Sequence, residues 1–376
     1  VRIAFLGSKG IPGRHGVEVV VEEVAVRLAA MGHAVTVFGY EGYVEGRSSW
    51  RGCGIRAVRT SRRALLEMPS AVRAAVRQVL REGPGAWDAV HIHSADPCLF
   101  AGPLYGKLPV AATSHGRGYR RTSIGPLRTT FSRLAERVFL SRPDALSCVS
   151  PTDTEHYNRR RPGAGVAYIP NGMPAPREGR AEDLAEWGLR PGGYVLFSAG
   201  RILPSKGLHV LLEAWRLLGA TVPLVVVGGA SGDGRYYREQ VAGSPAGVVF
   251  TGFIADRRLW SLYRFPAAAV FPSEAEAQSM TLLEFLGTGL EVVYSDIPEN
   301  SAVAAGLGRP FRSGSPESLA EALGGLLNGD APPRRDPAAV ERLVREHDWD
   351  RIAEAYVGLY ERAIACRRSR TSRGGC

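Results

Sequence analysis

The 376-residue chain is poor in cysteine, poorer in lysine, and lacks any long apolar run, and each shortage excludes something. Its five cysteines (Cys53, Cys98, Cys148, Cys366 and Cys376) are scattered, odd in number and never spaced Cys-x-x-Cys, which argues against a disulfide framework and a cysteine-based zinc site. No stretch approaches the ~18 apolar residues that cross a bilayer, and the opening run Val1 to Gly7 is too short for a signal-peptide core. The expectation is a cytoplasmic protein. Lys9, Lys107 and Lys206 are the only lysines among 47 basic residues, an arginine bias that suggests a GC-rich genome. A net charge of +10 comes without a zinc finger, RNP strand or helix-turn-helix pattern, so nucleic acid is not the expected partner. Nucleotide phosphates, a lipid-phosphate acceptor or the inner face of a membrane, touched peripherally, all fit that charge.

What is present is the composition of a globular enzyme, 45% hydrophobic and 22% charged, in a chain long enough for two domains. Short apolar strands alternate with longer amphipathic stretches, the pattern of parallel sheets covered by helices. Strands are expected near 2–6, 34–38, 88–92, 109–113 and 145–149, and again near 194–198, 223–228, 247–250, 268–271 and 291–294. The Pro/Gly-rich passage 161–193 separates the two series. This predicts an α/β chain of two Rossmann-like doubly wound domains, 1–170 and 171–348, facing a central cleft. A last helix over 349–366 is expected to pack back on the first domain, with 367–376 a disordered basic tail.

Two segments carry the strongest chemical signals. After the apolar run Ala267 to Phe271, a loop holding Glu276 leads to a helix expected to begin near Ser279 and to carry Glu284; the helix start supplies free N–H groups and a positive dipole end. Two such carboxylates can each accept paired hydroxyls, or they are a solvated acidic loop and an exposed helix residue. Glu274 suits mere solvation better. The segment Gly200-Arg201 to Lys206-Gly207 follows another strand, and its two cations can converge on a diphosphate or remain solvated turn residues.

Weaker signals lie in the first half. Gly7, Gly10, Gly13 and Gly16 form a glycine-rich loop that reads as a phosphate cradle or a plain turn. His115 follows a strand and can donate to a sugar hydroxyl or a phosphate, in keeping with a ring that titrates near neutral pH, or is a structural loop residue. His91 and His93 are expected to divide between the site and the core. Arg73, Arg77 and Arg81 on a helix, and Arg117, Arg120 and Arg121 after His115, are either solvated faces or contacts to an anionic membrane or lipid-phosphate acceptor. Asp348 and Asp350 read as helix-capping residues rather than metal ligands.

Taken in order, Ile169-Pro170-Asn171-Gly172, Gly200-Arg201 to Lys206-Gly207, Thr251-Gly252-Phe253, Glu276 to Glu284, Gly289 and Ser295 to Asn300 resemble the retaining glycosyltransferases of family four, which have two Rossmann domains in the GT-B arrangement. The glycine-rich loop with Glu18, together with His115-Gly116, resembles the bacterial rhamnosyltransferase-like, polysaccharide-forming subgroup. The resemblance implies a UDP-, dTDP- or GDP-linked sugar donor and no essential metal or other cofactor. Glu276 would address the donor sugar, Glu284 the ribose, Arg201 and Lys206 the diphosphate, and His115 the reacting sugar. Gly16 would lie in the acceptor-side loop near the phosphate and Phe253 and Ile254 beside the base, with Gly200, Ala277, Gln278, Ser279, Met280 and Thr281 binding the donor. The acceptor would be a glycan-lipid or a small molecule, in envelope polysaccharide or antibiotic biosynthesis. Departures stand at Ala277 and Gln278, where the family has glycine after the first glutamate, and at Val17 and Glu291; they bear on the choice of sugar. A nucleotide-sugar epimerase of the same fold and a catalytically silent nucleotide-sugar-binding protein are the rival readings.

Overall fold

The computed structural model describes residues 1–13, 16–83, 85–120, 125–174, 177–219, 222–329 and 337–373. They form two compact units, Val1–Gly172 with His347–Cys376, and Met173–Glu346. The chain crosses at 172/173 and 346/347, two residues from the sequence expectation, because His347 Nδ1 donates to the Asn171 carbonyl at 2.7 Å and ties both crossings into the first unit.

The first unit is built on a sheet of β1 (Arg2–Leu6), β2 (Ala34–Tyr40), β3 (Ser49–Trp50), β4 (Cys53–Val58), β5 (Ala89–His93), β6 (Val110–Ser114), β7 (Ala145–Cys148) and β8 (Ala167–Tyr168). Their order is β3-β4-β2-β1-β5-β6-β7-β8, and every pair is parallel except β3 with β4. Strands covered on both faces must be apolar throughout, and Ile3, Ala4, Phe5 and Leu6 of β1 are accordingly all 0% exposed. Chain order reverses between β1 and β5, the switch point outside whose carboxyl ends α/β sheets hold ligands.

The last helix, Trp349–Arg373, belongs to this unit. Asp348 caps it, Oδ1 accepting from the amides of Asp350 and Arg351 at 3.1 and 3.0 Å. Its buried Tyr360 lies 2.9 Å from His91 Nδ1. Sequence composition predicted disorder from residue 367, but the helix continues to Arg373. The arginines responsible for that expectation have partners: Arg367 donates to the Gly106 carbonyl, and Arg370 pairs with the buried Asp144 at 3.1 Å. Residues 374–376 lie outside the described ones.

The second unit has an all-parallel sheet of β9 (Val195–Arg201), β10 (Leu224–Gly229), β11 (Val248–Gly252), β12 (Ala268–Phe271), β13 (Val292–Ser295) and β14 (Arg309–Phe311), ordered β11-β10-β9-β12-β13-β14. Its switch point falls between β9 and β12. The two segments with the strongest sequence signals follow those two strands, so the topology alone brings them together.

Candidate functional site

In the second unit the loops after β9 and β12 are stitched by backbone. Gly207 holds φ +70°, and a Cβ there would fall 2.0 Å from the Pro272 carbonyl, so only glycine lets the loops approach this closely. The Glu274 amide donates to the Ser205 carbonyl at 2.9 Å, and its carboxylate lies 3.2 Å from His209 Nε2. Glu274 is therefore an anchor of the loop rather than the solvated residue expected of it. Beside this seam Lys206 Nζ lies 2.5 Å from Glu276 Oε1, the two side chains 25% and 11% exposed. The cation and the carboxylate that the resemblance assigned to phosphate and sugar thus hold one another. Arg201, at the end of β9, is exposed and makes no side-chain hydrogen bond or ion pair among the described residues.

The helix after the second loop runs Met280–Gly287, with Ser279 as its cap accepting from the Leu282 amide at 3.3 Å. Met280 and Thr281 are its first residues, half-buried; Ala277 is half-buried and Gln278 buried just before it. Glu284 lies one turn in. Burial pushes its carboxyl up to about 7, against the opposing pull of a hydrogen bond from Tyr263 and the positive charge of Arg177. Tyr263, on the helix Arg257–Arg264, is buried and bonds Ser198 Oγ at 2.8 Å, which ties its hydroxyl to β9. Sequence reasoning missed Tyr263 and Arg177, since nothing local distinguishes one tyrosine on an amphipathic helix or one arginine in a connecting segment.

Phe253 and Ile254 follow β11. Phe253 is 57% exposed and lies over Gly229 at the end of β10, while Ile254 is buried. Gly200 and, in the first unit, Gly16 are both exposed, and among the described residues nothing beyond their chain neighbours lies within 4 Å of where a Cβ would stand. Neither glycine is demanded by the packing of the chain itself. Gly16 opens the helix Gly16–Ala30, and Lys9 and Gly13 of the preceding loop donate amides to Glu18 and Glu22 at 3.3 and 2.7 Å.

Also in the first unit, His115 follows β6 and its Nε2 lies 3.2 Å from His93 Nδ1, the rings stacked at an interplanar angle of 21°. Burial pushes the His115 ring down to about 4, so it does not titrate near neutrality as expected. His91 and His93 do not divide between site and core either. Two residues apart on β5, they share one face, both 0% exposed with ring centroids 3.9 Å apart.

The basic segments separate. Arg117 pairs with the buried Asp153 at 2.6 Å and Arg120 approaches the same carboxylate at 3.9 Å, so these two brace the fold rather than form a free patch; Arg121 lies outside the described residues. Arg73, Arg77 and Arg81, in contrast, are all exposed on the helix Ala64–Arg81, and that helix begins with Leu65 at 90% exposure.

In the second unit, then, the carboxyl ends of the strands at the switch point gather an arginine without a side-chain partner among the described residues, a lysine–glutamate pair, a helix N-terminus and a desolvated glutamate. Such a set can neutralise a diphosphate and accept hydrogen bonds from hydroxyl pairs. Comparison with known proteins agrees with this chemistry. Residues 14–177 match the profile of Glycosyltransferase Family 4, and residues 193–329 that of Glycosyl transferases group 1. A phosphatidyl-myo-inositol mannosyltransferase of Mycobacterium leprae is 28% identical over 312 residues, 79% of each chain. Among solved structures, a sucrose-phosphate synthase from Thermosynechococcus elongatus superposes with a TM-score of 0.80 over 97% of this chain and 99% of its own, at 19% identity. The Anabaena protein HepE, solved with UDP and glucose, gives 0.72 over 95% and 98% at 16% identity. At such identities the structures establish the shared GT-B fold and nothing finer.

Proposed function

We propose, from the match of residues 14–177 to Glycosyltransferase Family 4 and of 193–329 to Glycosyl transferases group 1, that the chain is a family 4 glycosyltransferase that moves a hexosyl or deoxyhexosyl unit from a UDP-, dTDP- or GDP-linked sugar to an acceptor hydroxyl with retention of configuration. The observation that carries this reading is the pairing of Lys206 with Glu276 beside the unpartnered Arg201, at the switch point of the second sheet. A donor diphosphate competes for Lys206, joins Arg201, and frees Glu276 to accept hydroxyls of the sugar. Glu284 accepts the two ribose hydroxyls, and Phe253 and Ile254 flank the base.

In the reaction the bond from the anomeric carbon to the phosphate oxygen breaks, and a bond to the acceptor oxygen forms on the same face. The acceptor proton passes to the leaving phosphate oxygen. Arg201 and Lys206 stabilise the charge developing on that phosphate, which is the task a metal ion performs elsewhere. His115 donates a hydrogen bond to the reacting sugar, and at a pKa of about 4 it does so as a neutral ring. Ala277 and Gln278 border the sugar and bear on which sugar is taken.

The acceptor is a glycan-lipid or a small aglycone. The exposed arginines 73, 77 and 81 and the exposed Leu65 of one helix favour a lipid-linked acceptor reached at an anionic membrane surface. The test is turnover on a panel of nucleotide sugars and acceptors in the presence of EDTA, with the product's anomeric configuration read by NMR. Retention, with turnover lost in Arg201→Ala and Glu276→Ala, is the expected result. An inverted product, or donor isomerised with no acceptor present, contradicts the reading.

A further inference from the structure

We propose that His93 is a positioning residue for His115, fixing it as the Nδ1–H tautomer so that it presents a permanent hydrogen-bond donor. The catalytic consequence rests on the reading of His115 given above; the tautomer itself does not. A neutral imidazole carries one donor and one acceptor, and the partner of one nitrogen decides the role of the other. His93 Nδ1 and His115 Nε2 are 3.2 Å apart, so one proton lies between two ring nitrogens.

The opposite nitrogen of His93 decides where that proton belongs. Nε2 of His93 is buried and has no hydrogen-bond partner among the described residues. If His115 donated to His93, that orphaned position would carry an N–H, and buried unpaired N–H groups are rarer than unpaired acceptors. With the proton on His93 Nδ1, the orphan is only a lone pair. His93 then donates to His115 Nε2, and His115 keeps its own proton on Nδ1. Neither ring escapes by taking a second proton, since burial lowers the pKa of both. His91, its ring tilted 39° to that of His93 at 3.9 Å, cannot exchange roles with it, because its nitrogens lie 2.9 Å from the Tyr360 hydroxyl and 2.7 Å from Thr113 Oγ1.

The backbone around His93 supports a positioned rather than incidental ring. Ser94, the next residue, holds φ +78°, a conformation that residues other than glycine rarely adopt and that concentrates at functional sites. Gly7 of the first loop holds φ +93° and lies so close that a Cβ would stand 2.4 Å from the His93 carbonyl. The end of β5 is thereby clamped between the glycine-rich loop and β6, at the switch point of the first sheet.

The experiment is long-range 1H–15N correlation of the imidazoles in the full-length, unliganded chain labelled at histidine. His93 and His115 should both appear as Nδ1–H, whereas imidazole free in water favours Nε2–H. His93→Phe keeps a ring in the stack and removes the donor; in it His115 should change tautomer. With a donor found in the panel above, kcat should fall by roughly 10- to 100-fold, as when partners that orient functional histidines are removed, while the donor KM stays within about twofold, as for loss of a contact made only in the transition state. His93→Asn, which can place an amide N–H where Nδ1 stood, should recover most of the rate. An Nε2–H His115 in the wild-type chain overturns the proposal, as does a His93→Phe variant that folds and leaves tautomer and kcat unchanged. Turnover by His115→Ala separately decides the role of His115, so the two failures are distinguishable.

Discussion

Among the proposed site residues, Glu284 is the carboxylate whose pKa the fold raises. Its pKa, raised to about 7 by burial, lies above the carboxylate's value in an unfolded chain. The stability linked to this group is therefore fully present below the unfolded value near 4.5 and is lost as pH rises through about 7. On the proposed assignment of Glu284 to the ribose, hydroxyls donate to the ionised form, so donor binding should expel a proton. Calorimetric titration at about pH 6.5 in buffers of different ionisation enthalpy should show that release, and Glu284→Gln should abolish it; equal proton release in both chains would contradict the assignment. His115 behaves oppositely. With its pKa lowered to about 4, it contributes stability above its unfolded value and loses it as pH falls towards 4, and it adds no limb to a rate profile between pH 5 and 8. That the segments of Arg201 and Lys206 and of Glu276 and Glu284 come together was legible, because each short motif follows a strand at the switch point. The raised pKa of Glu284 was not, because it comes from burial that only the fold produces.

At the scale of elements, most of the two sheets could be read from apolar runs, and the misses have physical causes. β4 mixes Gly54 and Arg56 into its run, and β14 is three residues with Pro310 at its centre, so neither shows the uninterrupted apolar pattern of a buried strand. The tail after Cys366 was misread because its composition conceals the ion pairs and carbonyl contacts of its arginines. The glycines likewise divide by element rather than by motif. Gly207 joins two loops with φ +70° and a backbone contact that leaves no room for Cβ, whereas Gly16 opens a helix onto free space. Gly207→Ala should lower the stability of the chain by at least ~1–3 kcal/mol, seen in a denaturant titration. Gly16→Ala should leave stability within about 0.5 kcal/mol and weaken donor binding instead. Equal destabilisation by both would show that the open space at Gly16 is not kept for a ligand.

Over the whole molecule, a net charge of +10 is unevenly used. Arg117 and Arg120 are spent on Asp153. The helix Ala64–Arg81 keeps Arg73, Arg77 and Arg81 exposed below the exposed Leu65. Co-sedimentation with vesicles containing anionic lipid should therefore fall sharply when these three arginines become glutamine, and should fall with rising salt; binding that ignores both would place the membrane contact elsewhere. The central claim, a nucleotide-diphospho-sugar held by the second unit, is tested most directly by thermal unfolding of the full chain against a panel of UDP-, dTDP- and GDP-sugars. A donor at 100 times its dissociation constant adds about 2.7 kcal/mol, so one member of the panel should raise the melting temperature by roughly 5–10 °C, and Arg201→Ala should remove that rise. A wild-type chain whose melting temperature no nucleotide sugar moves would contradict the account.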